Sequence, residues 1–165
     1  MNARVPLGTA DADELEARPA PLSFGPLAGI VGFHIARASV STYDAFERHI
    51  GKPFDLKKVE FSLLMIVMAN GALAPKRLAR ALAVTAPNLT LLLDRLQQRG
   101  LIKRERNPAD GRSQHVVLTA KGLKLARDAA AAAEPMEHEL LRALSRAEHA
   151  MLIELLDKLA LRPGG

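Results

Sequence analysis

The sequence predicts a mainly α chain (α+β) in which helices enclose one β-hairpin. Three observations carry that expectation. Apolar residues recur at helical spacing over most of the chain. Two short amphipathic stretches, near 75–82 and 85–99, are joined by a few residues around Val84, the spacing of a helix-turn-helix. Directly after them, two strand-like stretches flank Asn107-Pro108-Ala109-Asp110-Gly111, a run of turn-forming residues.

Taken in order, residues 1–22 hold four acids and three prolines without an apolar stripe, and read as a mobile arm. From about 26, Leu27, Ile30, Val31, His34, Ile35, Ala38, Thr42, Ala45, Phe46 and His49 follow one helix face. Gly51 and Pro53 are expected to end that helix. Asp55 is the expected N-cap of a second helix, with Leu56, Val59, Leu63, Leu64, Ile66 and Val67 apolar and Asn70-Gly71 as its stop. A short third helix starts near Pro75, where a missing N–H costs nothing, and turns Leu78, Ala79 and Leu82 inward. Thr85 can cap a fourth helix whose inner face is Leu89, Leu92, Leu93 and Leu96, and Gly100 ends it. The hairpin alternates Ile102, Arg104 and Arg106 against Lys103 and Glu105, and returns through residues 114–118. Thr119 can cap a long alanine-rich fifth helix, bent or broken near Pro135. Ser145 and Glu148 form a capping box for a last helix carrying Met151, Leu152, Leu155, Leu156 and Leu159.

Charge narrows the function. Residues 76–127 hold twelve basic side chains against three acids, a net +9 that leaves −4 for the rest of the 165-residue chain. A basic block in an otherwise acidic protein fits a polyanionic partner. Aromatic residues make up only 4%, with one tyrosine and no tryptophan, so a base-stacking platform for single strands is disfavoured and duplex DNA is favoured. There is no Gly-rich phosphate loop, nucleophile elbow or metal-binding histidine pair, so no enzyme chemistry is assigned. Cysteine is absent and the five histidines lack ligand spacing, so neither a metal nor another cofactor is expected. The longest apolar run, 63–69, is too short to span a membrane, and the N-terminus does not read as a signal peptide; a cytoplasmic protein is expected.

At this level the chain resembles the MarR family of bacterial transcription regulators over about residues 26–160. The resemblance is carried by Leu78-Ala79, Thr90, Asp94-Arg95-Leu96, Arg99-Gly100-Leu101-Ile102, Arg104, Asp110-Gly111-Arg112, Leu118-Thr119 and Gly122. It implies a winged helix-turn-helix with N- and C-terminal dimerisation helices. The corresponding division is a flexible arm over 1–22, dimerisation helices over 23–55 and 120–162, and a DNA-binding lobe over 56–119. One departure is Leu91, where many relatives carry a polar or basic residue.

The fourth helix is then the candidate reader, with Ala86, Pro87, Asn88, Thr90, Leu91, Asp94 and Arg95 outward. Asn88 and Thr90 can bond base edges, and Ala86, Pro87 or Leu91 can touch a thymine methyl. Lys76, Arg77 and Arg95 are assigned to phosphate, which positions the protein without reading sequence. Arg112, at the hairpin tip, suits the negative potential of a minor groove, with Arg104 and Arg106 flanking the backbone. Asp110 either orients the wing arginine, as the resemblance implies, or simply builds the turn.

The family works as a symmetric homodimer, which would set two reading helices about one DNA turn apart on a pseudo-palindromic operator. Apolar faces on the first helix and on 136–160 either form that interface or close the monomer core. The resemblance also implies a repressor released by a small ligand, frequently an aromatic carboxylate. His34, Arg37 and Ser41 share one strip of the first helix and can hold a carboxylate, with Met65 and Met68 as deformable walls. The alternatives are a solvent-facing Arg37 and a core or interface His34. A low-specificity architectural DNA binder is the competing function.

Overall fold

The computed structural model describes residues 22–107 and 110–160, and the side chains of Asn107 and 110–113 are outside that description. Residues 1–21 of the expected arm therefore lie outside the described residues. The chain divides into a unit ending at Ala36 and a larger unit beginning at Arg37.

A 3-10 turn, Gly25–Gly29, lies in the first unit and precedes the first α-helix, α1 (Val31–Phe46), of which residues from Arg37 on belong to the larger unit. The expected helix from about 26 is thus corrected: Leu27 N donates to Phe24 O at 3.1 Å and Ile30 N to Leu27 O at 3.0 Å, and Ile30 then leaves helical geometry at φ −97°, ψ 107°. Phe24 packs edge-on against Phe33, with ring centroids 5.3 Å apart.

In the larger unit the chain leaves α1 through a π-helical turn, Glu47–Gly51, and one α-turn, α2 (Lys52–Phe54). Gly51 and Pro53 do not stop the helical path. Pro53 lies in the first turn of α2, where its absent N–H costs no bond. Asp55 ends the path in left-handed geometry, φ 48° and ψ 53°, so it is a C-cap and not the expected N-cap. The second long helix, α3 (Lys58–Asn70), is instead entered through Lys57, whose N–H donates to Glu60 Oε2 at 2.8 Å. Gly71, at φ +70°, terminates it.

Helices α4 (Pro75–Ala81) and α5 (Ala86–Gln98) follow as a helix-turn-helix. Thr85 occupies the cap position of α5, but its side chain makes no capping bond. Leu89, Leu93 and Leu96 are buried, and Gly100 at φ +69° turns the chain into the hairpin. Strands β1 (Ile102–Asn107) and β2 (Asp110–Leu118) pair antiparallel from Ile102 opposite Leu118 to Arg106 opposite Gln114, with a register irregularity at Arg106/Asn107. The segment before α4 joins the sheet as well: Val116 N donates to Leu73 O at 2.8 Å and Leu73 N to Val116 O at 3.1 Å.

Thr119 caps α6 (Ala120–Leu141), accepting from Gly122 N at 3.0 Å while its hydroxyl donates to Gly100 O at 2.7 Å. Of the expected bend or break, the break does not occur: helix α6 continues through Pro135. The alanine run before it has high helix propensity, and Ala126, Ala129 and Met136 are buried against the core. Leu63, Leu64, Val67, Leu78, Leu96, Leu101, Ile102 and Val116 make up the centre of that core. The last helix, α7 (Arg146–Ala160), begins with the expected capping box: Ser145 N donates to Glu148 Oε2 at 2.8 Å and Glu148 N to Ser145 Oγ at 3.3 Å. The Ser145 side chain and N–H hold the Glu148 carboxyl below its ordinary 4.5. No residue of α7 is buried.

Gly122 is required by packing. A Cβ there would lie 1.8 Å from the backbone oxygen of Leu101. Gly122→Ala is therefore expected to lower stability by about 2–3 kcal/mol, against alanine's better helix propensity. The midpoint of urea unfolding checks this.

Candidate nucleic-acid interface

Helix α5 is set by apolar contacts on one side and charge pairs at its C-terminal half. Arg95 Nε lies 3.0 Å from Glu60 Oε1, and Arg99 Nη1 lies 3.7 Å from Glu60 Oε2. Arg99 also donates to Asp55 O at 2.7 Å, and Lys121 Nζ donates to Arg99 O at 2.8 Å. Glu60 is 0% exposed, a buried carboxylate held by guanidinium groups from the next helical layer. Asp94 accepts from Arg104 at 2.6 Å and so ties α5 to β1. Neither Glu60 nor the Asp94–Arg104 pair was singled out as a structural link by sequence reasoning. Glu60 does precede Leu63, Leu64 and Val67 by three, four and seven residues, which places it on the core stripe of α3.

Opposite the buried stripe, Ala86, Pro87, Asn88, Thr90 and Leu91 are exposed on the first half of α5. The Thr90 hydroxyl donates to Ala86 O at 3.1 Å. Lys76 and Arg77 are exposed on the first turn of α4, and Arg106 on β1. The structure thus gathers these residues on α4, α5 and β1, while Arg95 and Arg104 are also engaged within the chain. Asp110 and Arg112 stand on β2, but their side chains lie outside the described residues.

The residues assigned to a ligand are distributed differently. His34 Nε2 lies 2.9 Å from Ala28 O, within the first unit. Arg37 is exposed on α1. Ser41 lines a cavity of about 460 Å³ with Asp44, Arg48, Glu139, Leu140 and Arg142. Met65 and Met68 are not among its walls; both pack against the core. Beside the cavity, Glu139 pairs with Arg48 and lies 2.9 Å from His49 Nε2, and these contacts, the His49 bond foremost, hold its carboxyl below 4.5. Among the described residues no group of three or more His, Cys, Asp or Glu is placed to hold a metal ion, and no helix is long and apolar enough to cross a membrane.

Comparison with known proteins bears on this geometry. A MarR family model matches residues 54–113, from the end of α2 into β2. The transcriptional regulator HosA of Escherichia coli O111:H- is 30% identical over 105 residues, 64% of this chain and 78% of that protein. The chain belongs to the MarR family. Among solved structures, the transcriptional repressor CouR bound to a 23-mer DNA duplex is 30% identical, with a TM-score of 0.78 over 86% of this chain and 99% of that one. BpsR of Bordetella bronchiseptica, whose DNA binding is regulated by 6-hydroxynicotinic acid, is 25% identical, with a TM-score of 0.75 over 87% and 99%. The fold is the winged helix-turn-helix of the MarR family, and the protein is a transcriptional regulator of that family, not an enzyme.

Proposed function

We propose that this MarR-family regulator is a repressor that binds a pseudo-palindromic operator as a homodimer and is released by a small anionic aromatic ligand. The observation that carries the reading is the pairing of an outward α5 surface with a last helix that buries nothing. Met151, Leu152, Ile153, Leu155, Leu156 and Leu159 are all exposed on α7. That much apolar surface on one helix calls for a partner. A second copy joined by a two-fold axis presents two α5 helices to two half-sites. CouR is described as a repressor, and BpsR responds to an aromatic acid, which supports the sign of regulation and the ligand class. The cavity beside Ser41 has the volume of a small-ligand site, and Arg142 in its wall offers a cation for a carboxylate, while Arg48 there pairs with Glu139. Arg37 and Ser41 remain the α1 residues assigned to that ligand.

Contacts divide by role. Lys76, Arg77, Arg95, Arg104 and Arg106 serve the backbone, Arg112 enters the minor groove beside Asp110, and Ala86, Pro87, Asn88, Thr90 and Leu91 face base edges. The decisive experiment is selection of bound sequences from random duplex, followed by titration of the recovered complex with aromatic carboxylates. A two-fold-related motif and release by an acid are expected. Recovery of no motif would favour a low-specificity architectural binder, and a complex indifferent to acids would remove the ligand. On the recovered duplex, Arg112→Ala should weaken binding about ten-fold, whereas Asn88→Ala should relax preference at one base pair by about 1–3 kcal/mol. Equal losses on all sequences for both variants would contradict the division of roles.

A further inference from the structure

The reading face of α5 has an unusual chemical character. On a helix of 3.6 residues per turn, the direction opposite Leu89, Leu93 and Leu96 is occupied by Pro87 and Leu91, one turn apart on the same strip. Leu91 is 69% exposed, the largest exposure among the large hydrophobic side chains of the described helix-turn-helix and hairpin residues. Three of the polar groups around it already have partners within the chain. The Thr90 hydroxyl proton is given to Ala86 O, the Asp94 carboxylate takes Arg104, and the Arg95 guanidinium rests on Glu60. The apex of the reader is therefore a pyrrolidine ring and an isobutyl group, with Ala86 and Asn88 at its margins.

In the major groove each base pair presents hydrogen-bond donors and acceptors, and one group of a different kind, the 5-methyl of thymine. An apolar side chain pressed against the polar edges displaces water without replacing its bonds. Against a thymine methyl the same side chain loses nothing and buries apolar surface on both partners.

The geometry points to Leu91, backed by Pro87, as a thymine-methyl reader, so that each operator half-site carries thymine beneath the middle of α5. This rests on the operator-binding reading and adds the base chemistry that the half-site must supply. Leu91 fixes specificity by shape and dehydration, while Asn88 supplies the amide hydrogen bonds.

The test uses the duplex recovered by selection, resynthesised with deoxyuridine in place of every thymidine. That exchange removes the 5-methyl groups and keeps all base-edge donors and acceptors. The wild-type protein should bind the uracil duplex about three- to five-fold more weakly per contacted methyl, and about ten-fold or more when both half-sites are engaged. For Leu91→Ala the ratio of the two affinities should fall toward one, with an unfolding midpoint unchanged because the side chain is exposed. Equal wild-type affinity for both duplexes overturns the inference, as does a full uracil penalty retained by Leu91→Ala. Absence of binding to any selected duplex would overturn the operator-binding reading first, and this inference with it.

Discussion

Arg95→Ala is expected to cost about 1–2 kcal/mol of folding stability, below the range for a fully buried ion pair because Arg95 itself is partly exposed. The reason lies in Glu60. Its carboxylate has no exposed surface, and one oxygen faces Arg95 Nε at 3.0 Å. Removing Arg95 leaves that oxygen without its cation, while Arg99 at 3.7 Å and the Lys57 N–H still hold the other. These remaining partners keep the cost from rising further. Lys76→Ala, on an exposed helix turn, should change stability by no more than about 0.5 kcal/mol. In a Glu60→Gln background no charge is stranded, so the cost of Arg95→Ala should fall below about 1 kcal/mol. Urea unfolding of the four proteins measures the cycle. A full cost persisting in the Gln background would show that Arg95 acts through something other than Glu60. A phosphate contact is separable from this, because its loss lowers the slope of log K against log salt by about one.

Leu152→Glu combined with Leu156→Glu should convert the proposed dimer to single subunits. Both leucines are exposed in the isolated chain, so the core formed by α3, α5, the hairpin and α6 loses no packing. What changes is the association, since a carboxylate pressed into an apolar interface either stays hydrated or blocks closure. Affinity for a two-half-site duplex should then fall by about 10²–10⁴, the gain that linking two binding modules confers. Affinity for one half-site should stay near its starting value. Sedimentation equilibrium with fluorescence anisotropy on long and short duplexes reads both quantities. A doubly substituted chain that remains a dimer would place the interface elsewhere than α7.

The sequence revealed elements whose signals are local. The 3.6-residue apolar stripes marked α3 and α5, Gly71 and Gly100 marked the ends of those two, Thr119 marked the start of α6, and Ser145 with Glu148 marked the start of α7. It misled where local signals compete with neighbours. Asp55 has a good N-cap side chain, yet the π-turn and α2 carry the chain one turn further and make it a left-handed C-cap. Pro135 is a helix breaker whose penalty is outweighed by the alanines before it and by the buried Met136. Of the candidate interface, the exposed α5 residues were legible because periodicity fixes which face looks outward. The double engagement of Arg95 and Arg104 was not, because Glu60 and Arg95 are 35 residues apart and periodicity carries no information about pairing between helices.

Helix α6 has anchors near both ends. The Thr119 hydroxyl joins its beginning to Gly100, where α5 ends, and Glu139 near its finish grips Arg48 and His49. Twenty-two residues make a rod of about 33 Å, and a tilt of about 5° pivoting on one end swings the other by about 3 Å. That distance is comparable to a hydrogen bond, so a tilt of that size about the Glu139 anchor would be enough to part the Thr119 hydroxyl from Gly100 O.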